Sequence, residues 1–459
     1  MKFIGRENEV KQLKKLIELN GFHVGLIYGR RRVGKSELIK HVIKDFGYKT
    51  VYYECKQTSE KANVKNLNTI FSDILNVPPI REDTIEGFFE YIFKNEIKEK
   101  TIIVIDEYPY LRDCVTGCDS IFQALIDNYK DSLNVTLFFL GSYVDTMKAL
   151  MKRENPLYGR IDTFLDLKPM NYYDSVKFYP NFSDEDKVKI YSVFGGIPYY
   201  NQYVDDKKTV KDNIIELVSS ENSRLINEIP DYLEKEINKI TNANVVFTAM
   251  TEGFVKFNDI LSQSNVSSSP TLADTLNKLI KMELIEKVAP INDAKNKKKA
   301  GYYIKDNLTL FYYRYIFTYS SQMSMINPSI FYDNYIKKDF ETQYVPNRFE
   351  SICKEYLIKE NRDGKIDPFF FEIGKYYYDL PKEHRNGEFD IVTNDKNGYI
   401  FYEVKFKNKP ISNDIIKKEI EQVNSCGLYC YKYAFISKSG FEEKNIDNVI
   451  YIELKDIFK

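Results

Sequence analysis

Four residues near the amino terminus have the types and spacing of a phosphate-binding loop. Gly29, Gly34, Lys35 and Ser36 fit the pattern G-x-x-x-x-G-K-S, which follows an apolar stretch and precedes a segment predicted to be helical, 35–43. Glycines let the backbone turn tightly, so that several N–H groups point at one anion. The lysine can reach the β and γ phosphates, and the serine hydroxyl can hold Mg²⁺. The predicted nucleoside-triphosphate site consists of Gly29, Arg30, Arg31, Arg32, Val33, Gly34, Lys35 and Ser36.

A second apolar segment, 101–105, ends in two carboxylates. In phosphoryl-transfer sites one acid at this place coordinates Mg²⁺ and a second group positions the attacking water. We therefore predict that Asp106 is a metal ligand beside Ser36, and that Glu107 and Lys35 are catalytic. A buried parallel strand that happens to end in an acidic turn is the alternative. Together the two segments favour ATP hydrolysis, with ATP and Mg²⁺ as cofactors.

The elements that must position these residues indicate an α/β fold. A chain of 459 residues, 43% of them hydrophobic, is too long for one core and sufficient for several. Residues 1–170 alternate apolar strands with amphipathic stretches, which predicts a parallel sheet covered by helices with nucleotide at the carboxyl ends of the strands. Residues 171–235 are predicted to form a helical lid, with helices over 184–193 and 210–229.

Charge and hydropathy exclude some classes of protein. The formal net charge is −1, so any binding to nucleic acid must come from local basic surface. The first residues lack the apolar region of a signal peptide, and no uncharged apolar run is long enough to span a bilayer, so we expect a cytoplasmic protein without a membrane partner. The six cysteines are dispersed and are predicted to be free thiols, not a disulfide framework or a zinc site.

Several segments resemble AAA-type P-loop ATPases of the archaeal and bacterial group related to origin-recognition and STAND-type ATPases, whose carboxy-terminal region is nuclease-like. They are Phe3–Glu9, 137–142, 156–160 and 195–200. The resemblance implies a polar sensor at Ser142 and an arginine finger at Arg160 that acts on the γ-phosphate of a neighbouring subunit, hence a homo-oligomer. A solvated loop arginine is the alternative for Arg160. The Gly-Gly-Ile-Pro run at 195–198 offers no sensor-2 arginine, which leaves open how a lid would sense nucleotide.

Residues 236–305 resemble a winged helix, because a helix, a polar turn, a second helix and two short strands follow one another. The resemblance makes DNA the expected partner. An interdomain adaptor is the alternative, because the second helix is not basic. A helical linker, 306–344, is predicted to follow. The residues expected to meet phosphates are the loop lysines Lys295, Lys297, Lys298 and Lys299.

The last segment, 345–459, contains a second set of chemical residues in the spacing D-x(12)-E-x-K. Strand alternation places Asp390 on one face of its strand, and Glu403 with Lys405 on one face of the next. This pattern resembles the PD-(D/E)XK nuclease core and predicts an α/β restriction-endonuclease-like domain. The resemblance implies that Asp390 and Glu403 bind Mg²⁺ or Mn²⁺, that Lys405 steadies the nucleophile, and that Glu350 on an amphipathic helix adds a third acid. Solvated charged strand faces are the alternative.

Two functions remain open from the sequence. The first is an ATPase that acts on DNA through a winged helix and a metal-dependent nuclease-like domain. The second is a nucleotide-controlled interaction or oligomerisation switch, in which a degenerate nuclease fold serves only as a binding surface.

Overall fold

The chain folds as two units in the computed structural model, which describes residues 3–237, 240–296, 298–380 and 384–459. Unit 1 runs to Met170 and includes Ile197–Tyr199, whereas unit 2 comprises Asn171–Gly196 and Tyr200–Lys459. The finer partition into five domains stays a prediction. Lys297, one of the predicted phosphate contacts, lies outside the described residues.

A parallel five-stranded sheet forms the centre of unit 1, as the sequence predicts. Its strands are ordered β2-β3-β4-β1-β5, so β4 lies between the strand before the glycine loop and the strand that ends in the two acids. Every residue of β3 and β4 is buried, which explains their continuous apolar sequence. The strands are β1 (Phe22–Tyr28), β2 (Lys49–Glu54), β3 (Thr101–Asp106), β4 (Val135–Gly141) and β5 (Thr163–Asp166).

Helices cover this sheet, and their ends carry local capping signals. Ser59 accepts a hydrogen bond from the N–H of Ala62, and Thr84 accepts one from Gly87, so each satisfies a backbone donor at a helix start. Edge-to-face aromatic pairs such as Phe71–Phe88 lie in the same buried core as strand residues of the sheet. The helices are α1 (Glu7–Glu18), α2 (Lys35–Ile43), α3 (Glu60–Leu75), α4 (Ile85–Tyr91), α5 (Tyr108–Cys114), α6 (Cys118–Tyr129) and α7 (Val144–Ala149), and Ile92–Glu96 is π-helical.

The next part of the chain is mostly helical, as predicted for the lid, but one predicted helix is wrong. The segment 210–229 is interrupted after Leu217, where a serine-rich turn brings the N–H of Leu225 back onto the carbonyl of Leu217. Serines compete for backbone hydrogen bonds and favour such turns. The helices are α8 (Tyr172–Ser175), α9 (Asp184–Phe194), α10 (Pro198–Asn201), α11 (Val210–Leu217) and α12 (Glu228–Glu236), and Val176–Phe178 is a 3₁₀ turn.

Three helices and an antiparallel hairpin follow, in the order that the winged-helix interpretation requires; that interpretation stays a prediction. Further helical segments continue to the last helix before the carboxy-terminal sheet. They are α13 (Ile240–Thr251), α14 (Phe257–Ser264), α15 (Ser269–Lys281), β6 (Ile285–Val288), β7 (Gly301–Ile304), α16 (Asn307–Phe311), α17 (Ser320–Met325), α18 (Pro328–Phe331), α19 (Lys337–Asp339) and α20 (Val345–Arg362), with a 3₁₀ turn at Ile291–Asp293 and π-helical turns at Tyr312–Phe317, Tyr332–Ile336 and Phe340–Tyr344.

A mixed five-stranded sheet ends unit 2, with strand order β12-β11-β10-β9-β8. The first three strands pair antiparallel, and α21 crosses over so that β11 and β12 run parallel to β10. Phe389, Ile391 and Tyr402 are buried, and so are the neighbouring residues Val392 and Phe401. The elements are β8 (Phe370–Leu380), β9 (Arg385–Asp395), β10 (Gly398–Lys405), α21 (Asn413–Ser425), β11 (Cys430–Ser437), β12 (Val449–Glu453) and α22 (Leu454–Ile457).

None of the helices that the structure describes combines the length and the apolar character that a bilayer span requires.

Candidate functional site

The glycine loop lies between β1 and α2, and its shape depends on two glycines. Gly29 has φ 152° and Gly34 has φ 93°, and both values favour residues without a Cβ. A Cβ on Gly29 would also clash with the carbonyl oxygen of Leu167, whose N–H donates to Tyr28 at 2.7 Å. The backbone can therefore turn at the carboxyl end of β1 and lead directly into the amino terminus of α2, where anions bind favourably.

Lys35 lies inside this loop. Its Nζ donates to the carbonyl oxygens of Gly29 at 2.9 Å and Arg30 at 3.2 Å. Burial lowers the pKa of Lys35 to about 8, although the charges of Glu107 and Asp106 oppose that shift. The amine is thus held against the backbone of the loop that is predicted to bind phosphate.

Asp106 and Ser36 meet as predicted for a Mg²⁺ site. Ser36 Oγ donates to Asp106 Oδ2 at 2.7 Å, and the hydroxyl of Tyr52 donates to the same oxygen. One carboxylate and one hydroxyl, completed by water and phosphate oxygens, suit Mg²⁺. Tyr52, which no sequence motif identifies, comes from β2 beside β3. Burial, with the charge of Asp106 adding to it, raises the pKa of Tyr52, so its hydroxyl stays a donor.

Glu107 is held by the residue predicted to be a sensor. Ser142 Oγ donates to Glu107 Oε1 at 2.8 Å, and the N–H of Ser142 donates to Oε2 at 3.4 Å. The two residues meet because Glu107 follows β3 and Ser142 follows β4, which are neighbouring strands. Glu107 itself has φ 51°. The carboxylate that would position water is therefore fixed from the strand next to its own.

The side chains between the two loop glycines pack against protein. Arg31 Nη2 donates to the hydroxyls of Tyr110 at 3.2 Å and Tyr143 at 3.3 Å, and the guanidinium of Arg32 lies 3.9 Å from the ring centroid of Tyr199. Arg30 and Val33 are buried. The phosphate contacts predicted for this loop stay a prediction, and in this structure Arg31 and Arg32 contact tyrosine side chains.

Arg160, predicted to be a finger, forms an ion pair within unit 1. Its Nε and Nη2 donate to the two carboxylate oxygens of Asp127 at 2.9 and 2.7 Å, and its Nη1 donates to the carbonyls of Pro156 and Tyr158. The hydrogen bond to Asp127 raises the pKa of Arg160. A role on a neighbour's nucleotide would require Arg160 to exchange Asp127 for phosphate.

In unit 2, the predicted acids and lysine lie on paired strands. The register of β9 and β10 runs to Tyr402 opposite Ile391, and the next residues are Glu403 and Asp390. Lys405 forms ion pairs with Glu403 and, at 3.0 Å, with Glu419 of α21.

A second lysine, which no sequence motif identifies, lies beside Asp390. Lys375 of β8 lies 2.9 Å from Asp390 and 2.6 Å from Glu388. It also lies 4.8 Å from the ring centroid of Tyr303. Each predicted acid on the two strands therefore has its own lysine partner.

Glu350 of α20 shares the electrostatic environment of these acids. Burial, followed by the charge of Asp390, raises the pKa of Glu350 to about 8, and burial also raises the pKa of Glu403. Over the described ranges, however, no group of three or more His, Cys, Asp or Glu side chains is arranged to hold a metal. The metal site predicted at Glu350, Asp390 and Glu403 stays a prediction, and in this structure Lys375 and Lys405 form ion pairs with two of its acids.

Comparisons with known proteins support the ATPase prediction for the amino-terminal part of the chain. A family described as an ATPase domain predominantly from Archaea matches residues 3–204, and a family described as archaeal and bacterial proteins of unknown function matches residues 312–423. The prediction of an ATP-binding P-loop ATPase is confirmed by the first match. Because the second family has no described function, the nuclease-like site stays a prediction.

Individual relatives extend over different shares of the chain. The uncharacterized protein MJECL04 of Methanocaldococcus jannaschii is 31% identical over 99% of this chain and 99% of its own length. The uncharacterized ATP-binding protein MJ0147 of the same organism is 26% identical over 52% of this chain and 78% of its own. Among solved structures, the Walker-type ATPase PABY2304 of Pyrococcus abyssi is similar with a TM-score of 0.51 and 19% identity, covering 68% of this chain and 96% of that one.

Proposed function

For this chain, which belongs to the same family as the Methanocaldococcus jannaschii protein MJECL04 and carries an archaeal-type ATPase domain, we propose that ATP hydrolysis is coupled to phosphodiester cleavage in nucleic acid. The ATPase part rests on Lys35 inside the glycine loop, the Ser36–Asp106 pair and Glu107 held by Ser142. Mg²⁺ would be held there by Ser36 and Asp106, as in P-loop ATPases generally.

One observation carries the cleavage part of the proposal. The ends of two paired strands bring Asp390 and Glu403 together, with Lys405 beside Glu403 and Glu350 close enough for its pKa to respond to both acids. Asp390 and Glu403 could hold Mg²⁺ or Mn²⁺, which would neutralise a scissile phosphate and activate water, and Lys405 would steady the nucleophile. The order of α20, three antiparallel strands, α21 and a parallel strand supports the resemblance to the PD-(D/E)XK core.

A cleavage assay tests this proposal. Purified protein with ATP and either Mg²⁺ or Mn²⁺ is expected to cut at least one of single-stranded DNA, duplex DNA and RNA, and Asp390→Ala is expected to abolish cutting while ATP hydrolysis is retained. Asp447→Ala, an exposed acid before β12, is the matched control and should cut normally. Intact nucleic acid in every combination would refute the cleavage part and leave the ATPase part standing.

A second function is favoured by the lysine partners of the acids. Lys375 and Lys405 already neutralise Asp390 and Glu403, which is the arrangement expected if the fold serves as a binding surface and does not cleave. In that case nucleotide would control assembly or partner capture, and Asp390→Ala would leave both unchanged. Equal elution volumes with ATP, with ADP and without nucleotide would speak against this switch.

A further inference from the structure

A cleft of about 450 Å³ in unit 2 opens beside the acidic residues. The β6–β7 hairpin supplies one wall with Tyr302 and Tyr303, and α20 with β8 and β9 supplies the other with Glu350, Lys375 and Asp390. Any nucleic-acid strand that reaches Asp390 through this cleft must therefore enter between the β6–β7 hairpin and α20.

The hairpin wall is fastened to the carboxy-terminal sheet. The side-chain amide of Asn292 donates to the carbonyl of Tyr377 at 2.7 Å, and its oxygen accepts from the N–H of Tyr377 at 3.0 Å, so it pairs with the edge of β8. Tyr303 donates to Glu388 at 3.2 Å. Ile291 packs close to Gly374, since a Cβ on that glycine would lie 3.0 Å from Ile291 Cγ2. These contacts join the hairpin segment to the sheet that forms the opposite wall of the cleft.

One of the loop lysines predicted to meet phosphates, Lys299, takes part in the contact between the hairpin segment and the sheet. Lys299 forms an ion pair with Asp293 at 2.9 Å and lies 4.1 Å from the ring centroid of Tyr377. Its charge therefore stabilises the hairpin against the sheet. A phosphate contact by Lys299 would have to replace this ion pair.

The cationic side of the cleft comes from one face of α20. Asn347, Ser351 and Lys354 recur at the three- to four-residue spacing that shares a helix face, and all of them line the cleft with Arg348. Lys354 is half-buried and makes no ion pair within the described part of the chain. Arg348 donates to Asn307 and to the carbonyl of Lys305, which holds its guanidinium at the cleft. A lysine without a partner beside a fixed guanidinium suits a phosphate.

Size limits what can bind. A pocket of about 450 Å³ lies within the range that takes a ligand of drug size, which corresponds to roughly one or two nucleotides of a single strand. The half-buried Tyr303 in one wall and the lysines of the opposite wall are the two kinds of side chain that bind unpaired bases and their backbone. A duplex presents two paired strands and hides its base faces.

We propose that this cleft binds single-stranded nucleic acid, with Lys354 contacting a backbone phosphate. The inference rests on the proposed action on nucleic acid and names its substrate class. It assigns the cleft a binding role that does not depend on a metal.

Fluorescence anisotropy without added metal tests the inference. The probe is one labelled oligonucleotide, presented as single-stranded DNA, as the same DNA in a duplex and as single-stranded RNA. We expect at least one single strand to bind about tenfold or more tightly than the duplex. Lys354→Ala should weaken that binding by about tenfold, the worth of one charge-assisted contact, and flatten the dependence of log affinity on log salt. Lys359→Ala, on the same helix but paired with Asp363, is the matched control.

The outcomes separate this inference from the proposed function. Equal binding of duplex and single strand, or an unchanged affinity in Lys354→Ala, would overturn the inference even if Asp390-dependent cleavage is found. Selective single-strand binding without cleavage in any metal would support the cleft and refute the cleavage proposal. No binding of any probe by the wild-type chain would refute the inference, and the cleavage assay would then decide the proposed function on its own.

Discussion

Lys35 gives the nucleotide site a dependence on pH. Burial lowers its pKa from 10.5 to about 8, and bound phosphates would raise that pKa again because they stabilise the ammonium. The bound state therefore holds more protons than the empty state near pH 8. We expect ATP binding at pH 8 to take up about half a proton at this group, and affinity to fall as pH rises from 8 to 10.

Calorimetry in buffers of different ionisation enthalpy measures this uptake directly. Lys35→Arg is the control, because an arginine keeps its charge at these pH values and should remove the contribution. A heat of binding that is the same in every buffer at pH 8 would contradict the prediction.

Residues close together in the sequence were predictable, and residues brought in from other strands were not. Gly29, Gly34, Lys35 and Ser36 form a local motif whose chemistry follows from its spacing. Tyr52 reaches Asp106 only because β2 pairs with β3. Lys375 and Glu419 likewise face the predicted acids and lysine from β8 and α21. Because sequence spacing does not reveal such partners, the neutralised acids could not be foreseen.

At the scale of elements, a glycine in β1 leaves space for an aromatic ring of the neighbouring strand β4. Gly25 lies opposite Phe138 in the register, and a Cβ on Gly25 would lie 2.5 Å from the Phe138 ring and 3.1 Å from Leu16. We expect Gly25→Ala to destabilise unit 1 by about 1–3 kcal/mol, because a filled core tolerates an added methyl group poorly. The measurement is the midpoint of urea unfolding of unit 1. That transition is identified as the one that ATP moves to higher urea concentration, because ATP stabilises the unit that binds it.

A glycine with open space around it supplies the comparison. A Cβ on Gly47 would meet nothing within 4 Å, so Gly47→Ala should change stability by no more than about 0.5 kcal/mol. Phe138→Leu in the Gly25→Ala background should recover part of the loss, because it removes the ring that the new methyl group meets. Identical midpoints for both alanine variants would show that β1 and β4 adjust freely.

The order of the strands was not predictable from the pattern that identified them. Continuous apolar runs indicate buried parallel strands, but they do not say that β4 lies between β1 and β3. That insertion is what lets Ser142 hold Glu107. The break after Leu217 was missed for a different reason, since apolar spacing continued through a segment whose serines favour a turn.

At the scale of the whole molecule, Arg160 tests whether the chain works as an oligomer. If Arg160 reaches a neighbour's γ-phosphate, Arg160→Ala should lower the rate of ATP hydrolysis by about 10³-fold or more with little change in ATP affinity. Asp127→Ala breaks the same ion pair but keeps the arginine, so it should retain hydrolysis. A purely structural role predicts the opposite, namely similar and small effects from both changes, because exposed ion pairs contribute only about 0–1 kcal/mol.

Mixing two inactive variants separates action on a neighbour from action within one chain. Lys35→Ala removes the amine from the nucleotide site but leaves Arg160 intact, whereas Arg160→Ala leaves the nucleotide site intact. In a mixed oligomer, an intact site can face an intact arginine across some interfaces, so the mixture should hydrolyse ATP well above the sum of the separate variants. If the mixture stays as inactive as its components at concentrations where the wild-type chain is oligomeric, Arg160 does not act in trans. Its bond to Asp127 would then be its role.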